Sequence, residues 1–199
     1  MKTTNPDKYG LSKERLMKME NFFKEKYIQN GKLAGIQTLI ARKGKVIHFK
    51  STGLRDVENN KKIEKDTIFR IYSMTKPITS VALMQLFENG LFELDDDIND
   101  YLSFNVIHPD YPITPITFRM LLSHTSGIKD NWSVMTYYDG DPTLELSYYL
   151  HEYFTPGGEF YNSNSNFTNS MPGSNYTYTN NGAALIGLLV EEISNQSFN

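Results

Sequence analysis

No cysteine occurs in the 199 residues, which excludes a disulfide framework, a thiolate nucleophile and any cysteine-ligated metal centre. No uninterrupted run of about 18 apolar residues is present, so nothing reads as a membrane-spanning helix. The opening Met1-Lys2-Thr3-Thr4-Asn5-Pro6-Asp7-Lys8 lacks the apolar stretch of a signal peptide. As it stands the chain reads as cytoplasmic, although a removed leader would leave the same picture. Neither sign of charge dominates: 20 Lys and Arg against 23 Asp and Glu give a net charge of −3. That balance offers no support for binding nucleic acid or an anionic membrane. Histidine is scarce, and His48, His108, His124 and His151 are scattered without the His-x-x-x-His spacing of a zinc site. No internal repeat appears.

What is present suits a packed core: 39% of residues are hydrophobic and 13% aromatic. Ser12 to Asn30 predicts an amphipathic helix with Leu16, Met19, Phe23 and Tyr27 on one face and Ser12 as its cap. A β-hairpin follows, Ala34 to Arg42 and Lys45 to Gly53 around a Lys43-Gly44 turn. Residues 1–55 thus form a helix-and-hairpin part, and 56–199 a mostly helical region. Arg55 to Lys65 reads as a solvated loop. Leu94 to Leu102 predicts a short helix with acids at its start, where the dipole favours them. Asp95, Asp96 and Asp97 lack the loop pattern of a calcium site. Further helices are expected at Ile116–Leu122 and Ala183–Ser194, the latter with core candidates Leu185, Leu188, Leu189 and Val190. Tyr161 to Ser170 is polar and aperiodic, which predicts a flexible loop. That loop and the Trp132 region are expected to line the mouth of the site.

The organising stretch is Thr67-Ile68-Phe69-Arg70-Ile71-Tyr72-Ser73-Met74-Thr75-Lys76. An apolar run stops at Ser73, and a helical pattern begins, with Ile78, Val81, Leu83, Met84 and Phe87 as its expected apolar face. Three residues of helix turn roughly 300° and rise about 4.5 Å, so Ser73 and Lys76 share one face. A serine hydroxyl needs a neighbouring base before it can attack. Lysine serves as that base only when neutral, a form that burial and a helix N-terminus both favour. The pattern is short, however, and Ser126-Gly127-Ile128-Lys129 matches it too. Ser126 is the weaker candidate, since it follows a helix-like run and precedes a glycine. His124 reads as a structural residue bonding loop backbone.

Four pieces in order resemble the serine β-lactamase and penicillin-binding protein superfamily, in particular its class C β-lactamase, esterase and D-aminopeptidase branch. They are Phe69-Arg70-Ile71-Tyr72-Ser73-Met74-Thr75-Lys76-Pro77-Ile78-Thr79, Gly90-Leu91-Phe92-Glu93-Leu94-Asp95-Asp96, Arg119-Met120-Leu121-Leu122-Ser123-His124-Thr125-Ser126-Gly127, and Pro172-Gly173-Ser174 with Tyr178-Thr179-Asn180. The resemblance implies an α+β fold of the β-lactamase/transpeptidase type, an antiparallel sheet flanked by helices plus a helical region. It implies that Ser73 is the acylated nucleophile and Lys76 its proton acceptor. Tyr178 would pass a proton between Ser73 and the leaving group, and Asn180 would hold Lys76 and the substrate's amide carbonyl. Ser103-Phe104-Asn105 could mimic the second motif of other branches, but Tyr178-Thr179-Asn180 fits its context better.

One departure stands out. The family's third motif, Lys-Thr-Gly or His-x-Gly on a C-terminal strand, does not follow Asn180. The remaining sheet strands are therefore expected to be missing, with a hairpin that lacks partners. The resemblance implies a serine hydrolase acting on a β-lactam, a D-Ala peptide or a small ester, with a small-molecule or peptide substrate and no metal or organic cofactor. The alternatives are a catalytically silent binding or assembly relative and an inactive truncated fragment. A C-terminal segment carrying the third motif is then an expected partner.

Overall fold

The computed structural model describes residues 2–136, 138–140 and 142–198. The chain forms two compact units, one running to Arg70 and one from Ile71.

In the first unit, α1 (Lys13–Phe23) starts where expected, because Ser12 Oγ accepts from the Arg15 N–H at 3.3 Å. It does not continue unchanged to Asn30: Lys24–Ile28 widens into a π-helical turn. The hairpin is β1 (Gly35–Arg42) antiparallel to β2 (Lys45–Asp56), with Leu39 opposite Phe49 and an irregularity between Ile40 and Ala41. Lys43 and Gly44 have φ of 51° and 70°, the paired left-handed geometry that matches strand twist in a two-residue turn.

The expected solvated loop after Arg55 is corrected by β3 (Lys61–Lys62), which pairs with the end of β2 and makes the sheet three-stranded. Asp56 causes the reversal. Its carboxylate accepts from the backbone N–H and side-chain amide of Asn59 at 3.0 and 2.8 Å, which folds the chain back on itself. The hairpin is covered only in part, with no residue of β1 buried and Leu39 49% exposed. Leu16 of α1 and Ile47 of β2 are buried, and Glu20 lies 3.5 Å from His48, whose other ring nitrogen meets Thr38 Oγ1 at 2.8 Å.

The second unit opens with a 3-10 turn, Tyr72–Met74, leading into α2 (Thr75–Glu88). The buried face of α2 matches the expected one at Leu83 and Phe87 and departs from it at Ile78 and Val81. Thr79 and Leu83 are buried, with Leu86 packed beside them at helical spacing. Ile78 and Val81 lie off that stripe, 61% and 60% exposed.

The predicted helix at Leu94–Leu102 is only a 3-10 turn, Ile98–Asp100. Its acids bond locally instead of starting a longer helix. Asp95 pairs with Arg119 through two contacts of 2.7 and 2.8 Å, Asp96 accepts from Tyr101 at 2.6 Å, and Asp97 caps Asn99 at 3.0 Å. The carboxylate of Asp96 also pushes the Tyr101 phenol up to about 12. Next come α3 (Phe118–Leu122), capped by Thr117, and α4 (Leu146–Phe154), which the sequence pattern did not reveal.

The polar run expected to be a flexible loop holds a short helix, α5 (Ser163–Asn166), and a structural anchor. Asn166 is fully buried. Its amide donates to the Tyr153 and Phe160 carbonyls at 2.8 Å each and accepts from Asn131 at 3.0 Å. A fully satisfied buried amide of this kind ties three segments together.

Finally α6 (Asn180–Ser194) starts three residues earlier than expected, because Thr179 Oγ1 accepts from the Gly182 N–H. Helix α6 packs against α2, α3 and α4. Leu185, Leu188 and Leu189 are buried, whereas Val190 is only partly covered. Phe92 and Phe118 stack at 4.0 Å in the same core. Among the described residues no helix is long and apolar enough to cross a membrane.

Candidate active site

The site is built where α2 and α6 begin. Tyr72 has φ of 44°, a left-handed conformation that a non-glycine residue rarely holds without support from its surroundings. It turns the chain so that Ser73 sits in the 3-10 turn with Lys76 one turn along, at the second position of α2. Lys76 Nζ donates to Ser73 Oγ at 3.4 Å and to Asn180 Oδ1 at 2.6 Å. Tyr178 lies in the extended segment before α6 and donates its hydroxyl to Ser73 Oγ at 2.7 Å. Lys76 Nζ also sits 4.7 Å from the centre of the Tyr178 ring. All four sequence-predicted site residues therefore converge, although Ser73 and Tyr178 are 105 positions apart.

Electrostatics follow from this packing. The Lys76 side chain, then the Ser73 hydroxyl, hold the Tyr178 phenol below its ordinary value. His124, with φ of 56°, packs its ring 4.8 Å from that of Tyr178, and its Nδ1 accepts from the Thr179 N–H at 3.4 Å. Burial, reinforced by Lys76, keeps His124 below the usual histidine range. The expectation of a structural His124 bonding loop backbone matches this geometry, but its position against Tyr178 was not legible from spacing.

The four residues open into a cleft of about 1240 Å³, whose other walls include Trp132, Val134, Leu144, Leu146, Tyr149 and Phe160. Trp132 lines it as expected; residues 162–170 do not. Ser126 is buried with its hydroxyl accepting from the Ile128 N–H, so the second Ser-x-x-Lys match has no access to a substrate. Neither Ser103 nor Asn105 reaches the cleft. Among the described residues, no group of three or more acidic or histidine side chains is placed to hold a metal ion.

Sequence reasoning missed Asp130. Its carboxylate accepts from the backbone N–H groups of Asn180 and Asn181 and from the Thr179 hydroxyl, at 2.8 to 3.0 Å. It also accepts from the side-chain amides of Asn180 and Asn181, at 2.8 and 3.3 Å. A carboxylate at the start of a helix is electrostatically favoured, and here it supplements the Thr179 cap.

The Beta-lactamase family matches residues 19–199. This chain belongs to that family. Protein flp of Staphylococcus aureus (strain N315) is 27% identical over 173 residues, covering 86% of this chain and 32% of flp. Esterase EstB of Burkholderia gladioli is 32% identical over 102 residues, 51% of this chain and 26% of that protein. The solved structure of EstCE1, a hydrolase with promiscuous acyltransferase activity, matches with a TM-score of 0.75 at 26% identity, over 93% of this chain and 49% of that one. The chain thus spans about a third of the length of the curated relatives it matches. Its α+β fold is of the β-lactamase/transpeptidase type, with a small antiparallel sheet and helices, and its superfamily is that of serine hydrolases.

Proposed function

We propose that the protein is a serine hydrolase of the class C β-lactamase, esterase and D-aminopeptidase branch, forming an acyl-enzyme on Ser73. The observation that carries this reading is the contact of Ser73 Oγ with Tyr178 at 2.7 Å and with Lys76 at 3.4 Å. Of the two routes for the serine proton, the one to Tyr178 is shorter. Lys76 favours the phenolate, which accepts the proton from Ser73 as Oγ attacks the substrate carbonyl carbon. The start of α2 stabilises negative charge developing at Ser73. Tyr178 then donates the proton to the departing amine or alcohol as the amide or ester bond breaks. Water repeats the sequence in reverse and releases the acid.

Asn180 holds Lys76 through its carbonyl oxygen, and its amide hydrogen not bound to Asp130 serves the substrate's carbonyl. The aromatic and aliphatic walls of the cleft suit the apolar part of an acyl or leaving group. A β-lactam, a D-Ala peptide and a small ester all meet these requirements.

The test is the intact mass of the protein after exposure to a fluorophosphonate or a β-lactam, with peptide mapping. An adduct on Ser73, lost in Ser73→Ala, is the expected result. Absence of an adduct overturns the reading in favour of a catalytically silent relative or an inactive truncated fragment, and equal labelling of Ser73→Ala removes Ser73 as the nucleophile.

A further inference from the structure

Between the reacting groups and the start of α6 lies a row of side chains whose hydrogen bonds run one way. Lys76 Nζ, which as an ammonium can only donate, meets Asn180 Oδ1 at 2.6 Å. Asp130 Oδ2, which as a carboxylate can only accept, meets Asn180 Nδ2 at 2.8 Å. An amide placed between these two partners has one permitted orientation. Rotated by half a turn, it would set nitrogen against nitrogen and oxygen against oxygen.

The geometry points to Asp130 as a positioning residue that fixes the Asn180 amide so that its oxygen faces Lys76, and through Lys76 sets up Tyr178 and Ser73. Asp130 is itself held by the backbone N–H groups of Asn180 and Asn181 and by the Thr179 hydroxyl. It therefore locks the start of α6 and the amide direction together. Neither Asp130 nor Asn180 follows from the Ser-x-x-Lys spacing, and 50 residues separate the two. The inference rests on the reading of Ser73, Lys76 and Tyr178 as the reacting groups, so its test carries one readout that needs no reaction.

Asp130→Asn presents an amide nitrogen to Asn180 Nδ2, and relieving that clash turns the nitrogen of Asn180 towards Lys76. Asn180→Asp sets two carboxylates against each other. Combining D130N with N180D restores complementarity with the donor and acceptor exchanged. Each single variant is expected to label Ser73 with a fluorophosphonate about tenfold more slowly than the parent, and the double variant to exceed both, a coupling in the range of contacting pairs.

The second readout is the ultraviolet titration of the Tyr178 phenol, obtained by subtracting Tyr178→Phe. Lys76, Asp130 and His124 are the charged or titratable groups around it. Loss of the Asp130 charge alone would lower the phenol's pKa, whereas displacement of Lys76 raises it. D130N is expected to titrate higher than the parent. Titration at or below the parent's, or a double variant no faster than the slower single, overturns the inference. If a single variant gives no cooperative melt, the double variant decides: it must melt cooperatively and label, and failure of either overturns the inference. If the parent itself is not labelled, the hydrolase reading falls, and the Tyr178 titration alone decides the role of Asp130.

Discussion

Replacing Tyr178 by phenylalanine tests the proton path with little disturbance of the fold. Tyr178 is 43% exposed, and Lys76 faces its π surface at 4.7 Å, a contact that phenylalanine keeps. What disappears is the 2.7 Å partner of Ser73 Oγ, leaving Lys76 at 3.4 Å. A positioned general base contributes about 10²–10⁴ in rate, so acylation of Tyr178→Phe should fall by that factor. The assay is the rate at which excess fluorophosphonate labels Ser73, followed by intact mass from about pH 6 to 10.

The sign of the pH dependence follows from the environment of the phenol. Lys76 holds it below its ordinary value, and in the proposed mechanism the active form is the phenolate. The parent rate should therefore climb with pH and level off above that lowered pKa. Tyr178→Phe should lose this limb altogether. A variant that labels within about threefold of the parent at pH 7, with the same slope, would refute Tyr178 as the acceptor. Lys76 would then take the proton directly.

Two further expectations concern stability. Leu185 is fully buried on α6, so Leu185→Ala should cost about 2–5 kcal/mol in urea unfolding, and a loss below about 1 kcal/mol would contradict its place in the core. His108 is fully buried, and burial lowers its pKa against opposing contributions from the Thr168 backbone and Asp110. The unfolded chain takes up that proton first as pH falls through about 6.5, so the stability present above this value is progressively lost below it. The melting temperature should drop between about pH 7 and 5, and less steeply in His108→Asn; identical slopes would remove His108 as the cause.

Much of the fold was legible where a local signal and tertiary packing agree. Ser12 and the Lys43-Gly44 turn mark their elements because a cap and a left-handed turn are decided within a few residues. The reading failed where side chains bonded to something the pattern does not encode. Asp95, Asp96 and Asp97 look like the acidic start of a helix, yet each takes a separate partner and the helix never forms. Asn166 sits in a run that composition marks as mobile, but it is buried and hydrogen-bonded to Phe160, Tyr153 and Asn131, 6, 13 and 35 positions away. The face of α2 shifted because apolar identity selects Ile78, whereas the neighbouring polar Thr79 is the one buried.

The site divides in the same way. Three-residue spacing brings Ser73, in the turn that opens α2, and Lys76 onto adjacent turns, so that half is largely a local property. The other half depends on α6 meeting α2, a contact between segments about a hundred positions apart that no spacing rule predicts. Only the order of motifs in a known family singled out Tyr178 and Asn180 from the other tyrosines and asparagines. Asp130 lay outside those motifs, a lone acid between Lys129 and Asn131, and its six contacts exist only once α6 has docked. The proposed nucleophile and its neighbouring amine are thus set by local geometry, whereas the direction of the amide holding that amine is set by the packing of a remote helix. A substitution that loosens α6 without touching the cleft should for that reason weaken the chemistry as well as the fold.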